Sequence, residues 1–203
     1  MRMKIVFATG NPAKLVEIRE IVKDLGIEVV TMKEEGFTGE IDETGTTFME
    51  NALIKARTVA KALGEVTMSD DSGLVVDALG GEPGIYSSRW MGEDTSYHIK
   101  NKAIVDRLGD LPAEKRTARF VCAMACVFPD GRELTVEETF EGIVGWEEKG
   151  PNGFGYDPIF YLPERGCTSA ELSPEEKNAI SHRGKALRAM RIKLEDEIRR
   201  ENA

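Results

Sequence analysis

Apolar residues near the start of the chain alternate between the spacing of a strand and that of a helix. Residues 4–9 form a short apolar run typical of a buried strand, and residues 27–32 repeat it. Between them, residues 12–25 carry an apolar stripe at helical spacing, formed by Leu15, Ile18, Val22 and Leu25. Gly26 then provides a helix stop. The pattern predicts a β-α-β unit with parallel strands and a right-handed crossover.

The rest of the chain mixes helical patterns with extended runs. A helix over residues 47–63 is predicted to open with a capping box of Thr47 and Glu50. A strand over 66–69 is predicted to break at the two aspartates that follow it. Further strands are predicted at 74–79, 118–128, 133–144 and 157–161, and further helices at 96–108, from 173 onward and at 183–199. This mixture predicts an α/β fold, a mixed sheet flanked by helices, in two lobes with a cleft between them.

Length and charge narrow the class of protein. The 203 residues suit a single domain, residues 1–203, built as two closely packed lobes. With 27 basic and 36 acidic residues the net charge is −9, which argues against a general nucleic-acid binder but permits a small phosphorylated ligand in a local basic pocket. No apolar segment approaches the ~20 residues of a membrane span, and no cleavage signal is present. We therefore expect a cytoplasmic protein with no nucleic-acid or membrane partner.

Cysteine and histidine are too few and too scattered to indicate a zinc or redox site. The three cysteines form no C-x-x-C pair, and the chain has only two histidines. Cys122 and Cys126 lie in an apolar run, where their even spacing in a strand places both on one face. We expect these two to be buried as small apolar residues.

The first candidate site is Thr9-Gly10-Asn11-Pro12-Ala13-Lys14, where a predicted strand meets a predicted helix. Free backbone N–H groups and the positive end of the helix dipole make such a junction an anion site. Thr9 and Asn11 can add neutral hydrogen bonds, and Lys14 can add a positive charge. The alternative is that Asn11 only caps the helix while Lys14 lies in solvent. No Walker A sequence occurs in the chain.

Two adjacent carboxylates, Asp70 and Asp71, form the second candidate site. At the end of a buried strand they would repel each other unless cations compensate them. Such oxygen ligands suit Mg²⁺, which commonly takes one or two carboxylates plus phosphate oxygens. Lys55, at the edge of an apolar helix stripe, and Glu43, just upstream of that helix, can reach the same place. The alternatives are an Asx-type turn with solvated acids and a lysine that extends to water.

The third candidate site lies in the last quarter of the chain. Phe154 and Tyr156 occupy a glycine-rich loop and offer flat surfaces on which a base could stack. Lys177, His182 and Arg183 place several donors around a helix break. A planar guanidinium suits either a phosphate or the O6/N7 edge of a 6-oxopurine. Core packing for the aromatic rings and a solvated helix end for the donors are the ordinary alternatives.

Taken together, six stretches resemble the inosine triphosphate pyrophosphatase family. They are Thr9-Gly10-Asn11-x-x-Lys14, Glu43-Thr44-Gly45-x-x-Phe48-x-Glu50-Asn51-Ala52-x-x-Lys55-Ala56, Asp70-Asp71-Ser72-Gly73-Leu74, Pro83-Gly84-Ile85-Tyr86-Ser87, Gly153-Phe154-Gly155-Tyr156-Asp157-Pro158 and Glu176-Lys177-x-x-x-Ser181-His182-Arg183. The resemblance implies an elongated mixed sheet with surrounding helices, and two lobes enclosing a central active-site cleft, usually in a homodimer. It also implies Mg²⁺-dependent hydrolysis of ITP, dITP or XTP to the monophosphate and pyrophosphate, which clears deaminated purines from the nucleotide pool.

The resemblance further implies roles for single residues, matched position by position. The first motif would hold the triphosphate through Thr9, Gly10, Asn11, Pro12, Ala13 and Lys14. Glu43 and Asp71 would bind Mg²⁺, with Asp71 as the proton acceptor for the attacking water. Asp70 and Lys55 would support them. The remaining substrate contacts would come from Ser72, Phe154 and Gly155, from Tyr156 and Asp157 around the base, and from Lys177, His182 and Arg183 toward phosphate and the 6-oxo edge.

Two other functions fit parts of the pattern. A septum-inhibitor-type nucleotide pyrophosphatase would have a similar architecture and a different substrate range, and the donors at 181–183 argue against it. A non-catalytic sensor would bind a purine nucleotide without hydrolysing it. The carboxylates Glu43, Asp70 and Asp71 argue against a sensor, because three acids beside a triphosphate require a cation.

Overall fold

The computed structural model of the chain describes residues 3–9 and 12–201. Its strands are β1 (Lys4–Phe7), β2 (Glu28–Thr31), β3 (Thr67–Val76), β4 (Thr117–Val127), β5 (Glu133–Val144), β6 (Phe160–Leu162) and β7 (Cys167–Thr168). Its helices are α1 (Pro12–Val22), α2 (Phe48–Leu63), α3 (Tyr97–Leu108), α4 (Pro174–Ile180) and α5 (His182–Glu201). No helix in these ranges is long and apolar enough to cross a membrane.

The described strands form one sheet in the order β2-β1-β3-β4-β5-β6-β7. Strand β1 pairs in parallel with β2 and with β3, as the predicted β-α-β unit requires. Strand β6 pairs antiparallel with both β5 and β7. The sheet is therefore mixed, and the predicted α/β class with flanking helices is confirmed.

The chain divides into two compact units, as expected of two lobes. The first unit comprises Met1–Asp71, Cys122–Glu138 and Ala186–Ala203, and the second comprises Ser72–Val121 and Thr139–Lys185. Each has its own apolar core. The core of the first unit includes the predicted α1 stripe and both predicted buried cysteines: Leu15, Ile18, Val22, Cys122 and Cys126. The core of the second unit includes Ile104 of α3 together with Phe120, Phe140, Tyr156 and Phe160.

Strand β3 departs most from the sequence prediction. Two strands separated at the aspartates were expected, and this is wrong, because β3 runs unbroken from Thr67 to Val76. Asp70 and Asp71 stay within the strand, only 2% and 8% exposed, since a lysine ammonium lies against each carboxylate. The alternative of an Asx-type turn with solvated acids is wrong for the same reason.

Two other predicted boundaries also shift. Helix α1 ends at Val22, and Lys23–Leu25 continue as a single 3₁₀ turn before Gly26 adopts a φ of 69°. The strand expected at 157–161 begins only at Phe160, because Asp157–Ile159 form another 3₁₀ turn. By contrast, the helix start expected at Ser173 is confirmed, with a full capping box to Glu176.

Candidate active site

The two aspartates of β3 each have a lysine partner within the first unit. Neighbouring residues of a strand point to opposite faces, and the two carboxylates accordingly meet different lysines. The Oδ2 atom of Asp70 lies 2.6 Å from the Nζ atom of Lys14, and Oδ1 of Asp71 lies 3.1 Å from Nζ of Lys55. The expectation that cations compensate these buried acids is confirmed.

Lys55 joins two carboxylates that are far apart in the sequence. Its Nζ atom lies 3.3 Å from Oε1 of Glu43 as well as 3.1 Å from Oδ1 of Asp71. Burial acts to lower the pKa of Lys55, but the negative charges of Asp71, Asp70 and Glu43 outweigh it, so the pKa is raised. Lys55 is therefore a fixed positive charge, and the alternative of a lysine extended to water is wrong.

Burial has the opposite effect on Asp71. Loss of solvent raises the pKa of this carboxyl group, and the charge of Lys55 offsets only part of the rise. The neighbouring charge of Glu43 acts in the same direction as burial. The carboxylate of Asp71 is thus more basic than that of an exposed aspartate.

The loop that carries Glu43 is fastened to the start of α2 by several hydrogen bonds. The backbone N–H of Gly45 donates to Oδ1 of Asn51 at 2.8 Å, and that of Thr46 donates to Oε2 of Glu50 at 2.6 Å. Gly45 has no room for a side chain, because a Cβ atom there would lie 2.6 Å from Oδ1 of Asn51. These contacts fix the loop directly beside Lys55.

Asn51 connects this loop to β3 and is a site residue to which the sequence reasoning gave no role. It is fully buried, and its Nδ2 atom donates to Oδ2 of Asp71 over a long 3.4 Å. The side chain thus contacts both the Glu43 loop and the strand that carries Asp71. Asn51 stands in the second of the six stretches that carry the family resemblance, and this is the sequence signal that could have found it.

The predicted phosphate cradle is described only in part. Gly10 and Asn11 lie outside the described residues, so their predicted role remains a prediction. Thr9 follows β1 and is half-buried, and α1 begins at Pro12 with Ala13 in its first turn. Lys14 is not solvated: its side chain is 18% exposed and its ammonium contacts Asp70. The positive charge expected at this helix start is therefore present.

The first unit offers oxygen donors of the kind that Mg²⁺ prefers. Glu43 and Asp71 present carboxylates to a common cation, at present the ammonium of Lys55. Within residues 3–9 and 12–201, no three His, Cys, Asp or Glu side chains form a ready-made metal cluster. Mg²⁺ commonly uses one or two carboxylates and takes its other ligands from water and phosphate, so this donor set fits Mg²⁺ in the presence of a phosphorylated ligand.

In the second unit, the glycine-rich loop closes around the buried carboxylate of Asp157. Its Oδ2 atom accepts the backbone N–H of Phe154 at 2.8 Å and also contacts the ammonium of Lys177. Its Oδ1 atom accepts the hydroxyl of Ser169 at 2.8 Å. A Cβ atom on Gly153 would lie 2.4 Å from Oδ2, so only glycine fits there. Asp157 is an anchor for this loop, with both oxygens used.

Phe154 and Tyr156 have opposite environments. The Phe154 ring is 54% exposed, and Nζ of Lys177 and Cζ of Arg183 lie 5.1 and 5.6 Å from its centre. Tyr156 is 3% exposed, and its hydroxyl donates to the carbonyl of Ser87 at 2.7 Å. The prediction that Tyr156 offers a surface for stacking is therefore wrong, and the alternative of core packing is right for this ring. Of these two rings, only that of Phe154 is exposed.

The predicted donors around the break between α4 and α5 take different places. His182 opens α5, is 7% exposed and stacks on Phe120 at 4.9 Å with an interplanar angle of 13°. Arg183 and Lys177 both lie against the Phe154 ring. Gly155 follows Phe154 with a φ of 66°, and Ser72 is half-buried next to Asp71 in β3. The solvated helix end is thus wrong for His182.

Comparison with known proteins places this chain among close relatives. Residues 5–193 match the model of the Ham1 family. A protein of Exiguobacterium sibiricum called dITP/XTP pyrophosphatase is 48% identical over 192 residues, which cover 95% of this chain and 97% of the relative. The solved structure of a HAM1 protein from Coxiella burnetii is 41% identical with a TM-score of 0.90, covering 96% of this chain and 99% of that one.

A second solved structure gives the same result, with a lower TM-score and a slightly higher identity. The nucleoside-triphosphatase / dITP/XTP pyrophosphatase of Mycobacterium abscessus is 44% identical with a TM-score of 0.79, and the match covers 93% of this chain and 98% of that one. The family resemblance carried by the six sequence stretches is confirmed over nearly the full length. The chain belongs to the Ham1 family.

Proposed function

We propose that the chain hydrolyses the triphosphates of deaminated purines, ITP, dITP and XTP, to the nucleoside monophosphate and pyrophosphate with Mg²⁺. The observation that carries the proposal is the pair of carboxylates, Glu43 and Asp71, that share one buried ammonium group. Relatives at 48% identity that are called dITP/XTP pyrophosphatase support it. The proposal includes attack at the α-phosphorus, because pyrophosphate is then the leaving group.

The residues of the first unit supply charge and a proton acceptor. Lys14 and Lys55 would bind phosphate oxygens as ammonium groups, with Thr9 adding a hydroxyl. Among the residues that the structure describes, Lys55 holds Oδ1 of Asp71, while Oδ2 has only the long contact to Asn51. We therefore assign Oδ2 as the atom that orients the attacking water and takes its proton. Mg²⁺, when bound by Glu43 and Asp71, would neutralise charge on the pyrophosphate leaving group.

The second unit supplies the surface for the base. The exposed Phe154 ring would stack on the purine. Lys177 and Arg183 lie against the same ring and would remain within reach of the polar edge of the purine. Hypoxanthine and xanthine present an O6 acceptor to donors at His182 and Arg183, whereas adenine presents an amino donor. ATP would leave those donors unpaired, and sites built on such hydrogen bonds discriminate strongly. Guanine shares O6, so GTP must be rejected at the 2-position.

The same proposal covers assembly and location. A homodimer follows from the family resemblance, and a cytoplasmic location follows from a substrate that accumulates in the nucleotide pool. Light scattering on the purified protein tests the first, with a mass of about twice the 22.5 kDa of the chain expected.

The decisive measurement is pyrophosphate release from ITP, XTP, GTP and ATP at equal concentration, with Mg²⁺ and with EDTA. Fast release from ITP and XTP that stops in EDTA is expected, with GTP and ATP nearly untouched. Release of orthophosphate instead would mean attack at a different phosphorus. No release, together with retained binding of the nucleotide, would favour a sensor.

A further inference from the structure

The side-chain amide of Asn101 in α3 is buried and contacts the backbone of the glycine-rich loop at Gly155. It is 1% exposed. Its Nδ2 atom donates to Oε1 of Glu148 at 2.7 Å and to the backbone carbonyl of Gly155 at 3.1 Å. Its Oδ1 atom is buried and has no hydrogen-bond partner in the described part of the chain.

The two contacts determine which way the amide of Asn101 faces. Glu148 presents a carboxylate and Gly155 presents a carbonyl, and both groups only accept hydrogen bonds. A flipped amide would direct Oδ1 at two acceptors and lose both bonds. The position therefore requires a pair of N–H donors. With the amide in this orientation, the buried Oδ1 atom of Asn101 has no partner among the described residues, which is costly.

These donors matter because of what lies next to Gly155. The backbone N–H of Phe154 is held by Asp157, and the carbonyl of the following residue, Gly155, is held by Asn101. Gly155 has a φ of 66°, and the ring of Tyr97 lies 3.5 Å from where its Cβ atom would be. Buried groups thus fix the backbone on both sides of Phe154, while its ring is left 54% exposed.

We propose that Asn101 is a positioning residue that holds the Phe154 ring ready to receive the purine base. The inference rests on the proposed function, because it assigns Phe154 to the base. Asn101 itself touches neither substrate nor reacting atoms. Its effect is on the entropy of the loop: a ring that is already oriented loses less freedom when a base stacks on it.

The test compares three proteins on two substrates. In Asn101→Asp, an oxygen replaces the Nδ2 donor and faces both Glu148 and the Gly155 carbonyl. In Asn101→Asp/Glu148→Gln, the new glutamine amide can donate to the aspartate, which removes the repulsion but does not restore a donor to Gly155. The substrates are ITP and ribose triphosphate without a base, followed by pyrophosphate release, and the unfolding temperature of each protein is measured alongside.

We expect Asn101→Asp to raise the KM for ITP about tenfold with a small change in kcat, since the Gly155 carbonyl loses the hydrogen bond that holds it. Hydrolysis of the base-free triphosphate should keep its kcat/KM, because there is no base to meet Phe154. The double variant should recover the unfolding temperature while its KM for ITP stays raised.

Any of three results overturns the positioning role. One is an equal loss on both substrates, which would indicate general damage to the protein. The second is a KM for ITP that returns to the wild-type value in the double variant. The third is a KM for ITP that does not change in Asn101→Asp. If the wild-type protein itself releases no pyrophosphate from ITP, the proposed function fails and the inference falls with it. An active wild type with unaffected variants overturns the inference alone.

Discussion

In both units, buried aspartate side chains contact lysine ammonium groups, yet the two groups of charges differ in their balance. In the first unit, the carboxylates of Glu43, Asp70 and Asp71 meet two ammonium groups, so three negative charges face two positive ones. In the second unit, Asp157 meets one ammonium group, and its oxygens also accept a hydroxyl and a backbone N–H. The second pair is complete by itself. The first retains a negative charge that a further cation can neutralise.

This difference separates a chemical role from a structural one. A buried acid–lysine pair is not by itself evidence of catalysis. It is weak evidence even for stability, because the cost of removing both charges from water can exceed their attraction. What distinguishes the pair of the first unit is the surplus carboxylate charge. What distinguishes that of the second is the exposed Phe154 ring, which the Asp157 anchor supports. Substitutions in the two aspartates should therefore have opposite signatures.

The largest effect is expected from Asp71→Asn. We expect kcat for ITP to fall about a thousandfold, in the range for loss of a proton acceptor, while the free energy of unfolding changes by no more than about 1 kcal/mol. The fold should survive because Lys55 keeps its contact with Glu43. Initial rates of pyrophosphate release and urea denaturation without Mg²⁺ check the two parts. A variant that keeps its turnover would remove Asp71 from the mechanism.

Substitution of Asp157 should instead lower the free energy of unfolding. Asp157→Ala removes the acceptor for three groups at once and leaves the Lys177 ammonium without its carboxylate, so a loss of about 3 kcal/mol in the free energy of unfolding is expected. Asp157→Asn is the matched control, because an amide oxygen can still accept part of this set, and about 1 kcal/mol should be lost. Urea denaturation measures both. If alanine is tolerated as well as asparagine, Asp157 does not anchor the loop.

Local signals accounted for most of what the sequence predicted correctly. The helix start at Ser173 depends on residues within a few positions, as does the stop at Gly26, which the structure reaches through a 3₁₀ turn after α1. The β-α-β unit followed from period alone. The prediction that Asp70 and Asp71 break their strand was wrong. The charges that compensate these acids come from Lys14 and Lys55, which are distant in sequence. No local pattern around residues 70 and 71 contains that information.

Asn51 and Asn101 were given no role from the sequence for a different reason. Asn51 and Asn101 carry no charge and belong to helices with ordinary patterns, so composition and period give them no prominence. Each instead contacts the backbone of a glycine, Gly45 or Gly155. For the candidate site, the sequence singled out charged and aromatic residues, whereas the hydrogen bonds by which Asn51 and Asn101 hold the two loops are seen only in the structure.

Phe154 tests the role of the second unit directly. Stacking of a base on an aromatic ring contributes about 1–3 kcal/mol, so Phe154→Ala should raise the KM for ITP by roughly fivefold to 150-fold. The unfolding temperature should stay nearly constant, because the ring is more than half exposed. Phe154→Tyr keeps the aromatic face and serves as the control with near wild-type KM. Equal KM values for alanine and tyrosine would exclude stacking.

The smallest expected effect, from Asn51→Ala, makes the comparison sharpest. The variant loses one hydrogen bond to the Gly45 backbone and a long one to Asp71, worth about 1 kcal/mol in total. We expect the Mg²⁺ concentration for half-maximal rate to rise about fivefold, and Mg²⁺ binding in the presence of a non-hydrolysable triphosphate to weaken equally by calorimetry. The KM for ITP at saturating Mg²⁺ should not move. Asn101→Asp should give the reverse pattern, with KM raised and Mg²⁺ dependence intact. Suppose instead that each variant changed both the KM for ITP and the Mg²⁺ concentration for half-maximal rate. A positioning residue in one unit would then govern the property assigned to the other, and the two units would not divide phosphate chemistry from base recognition.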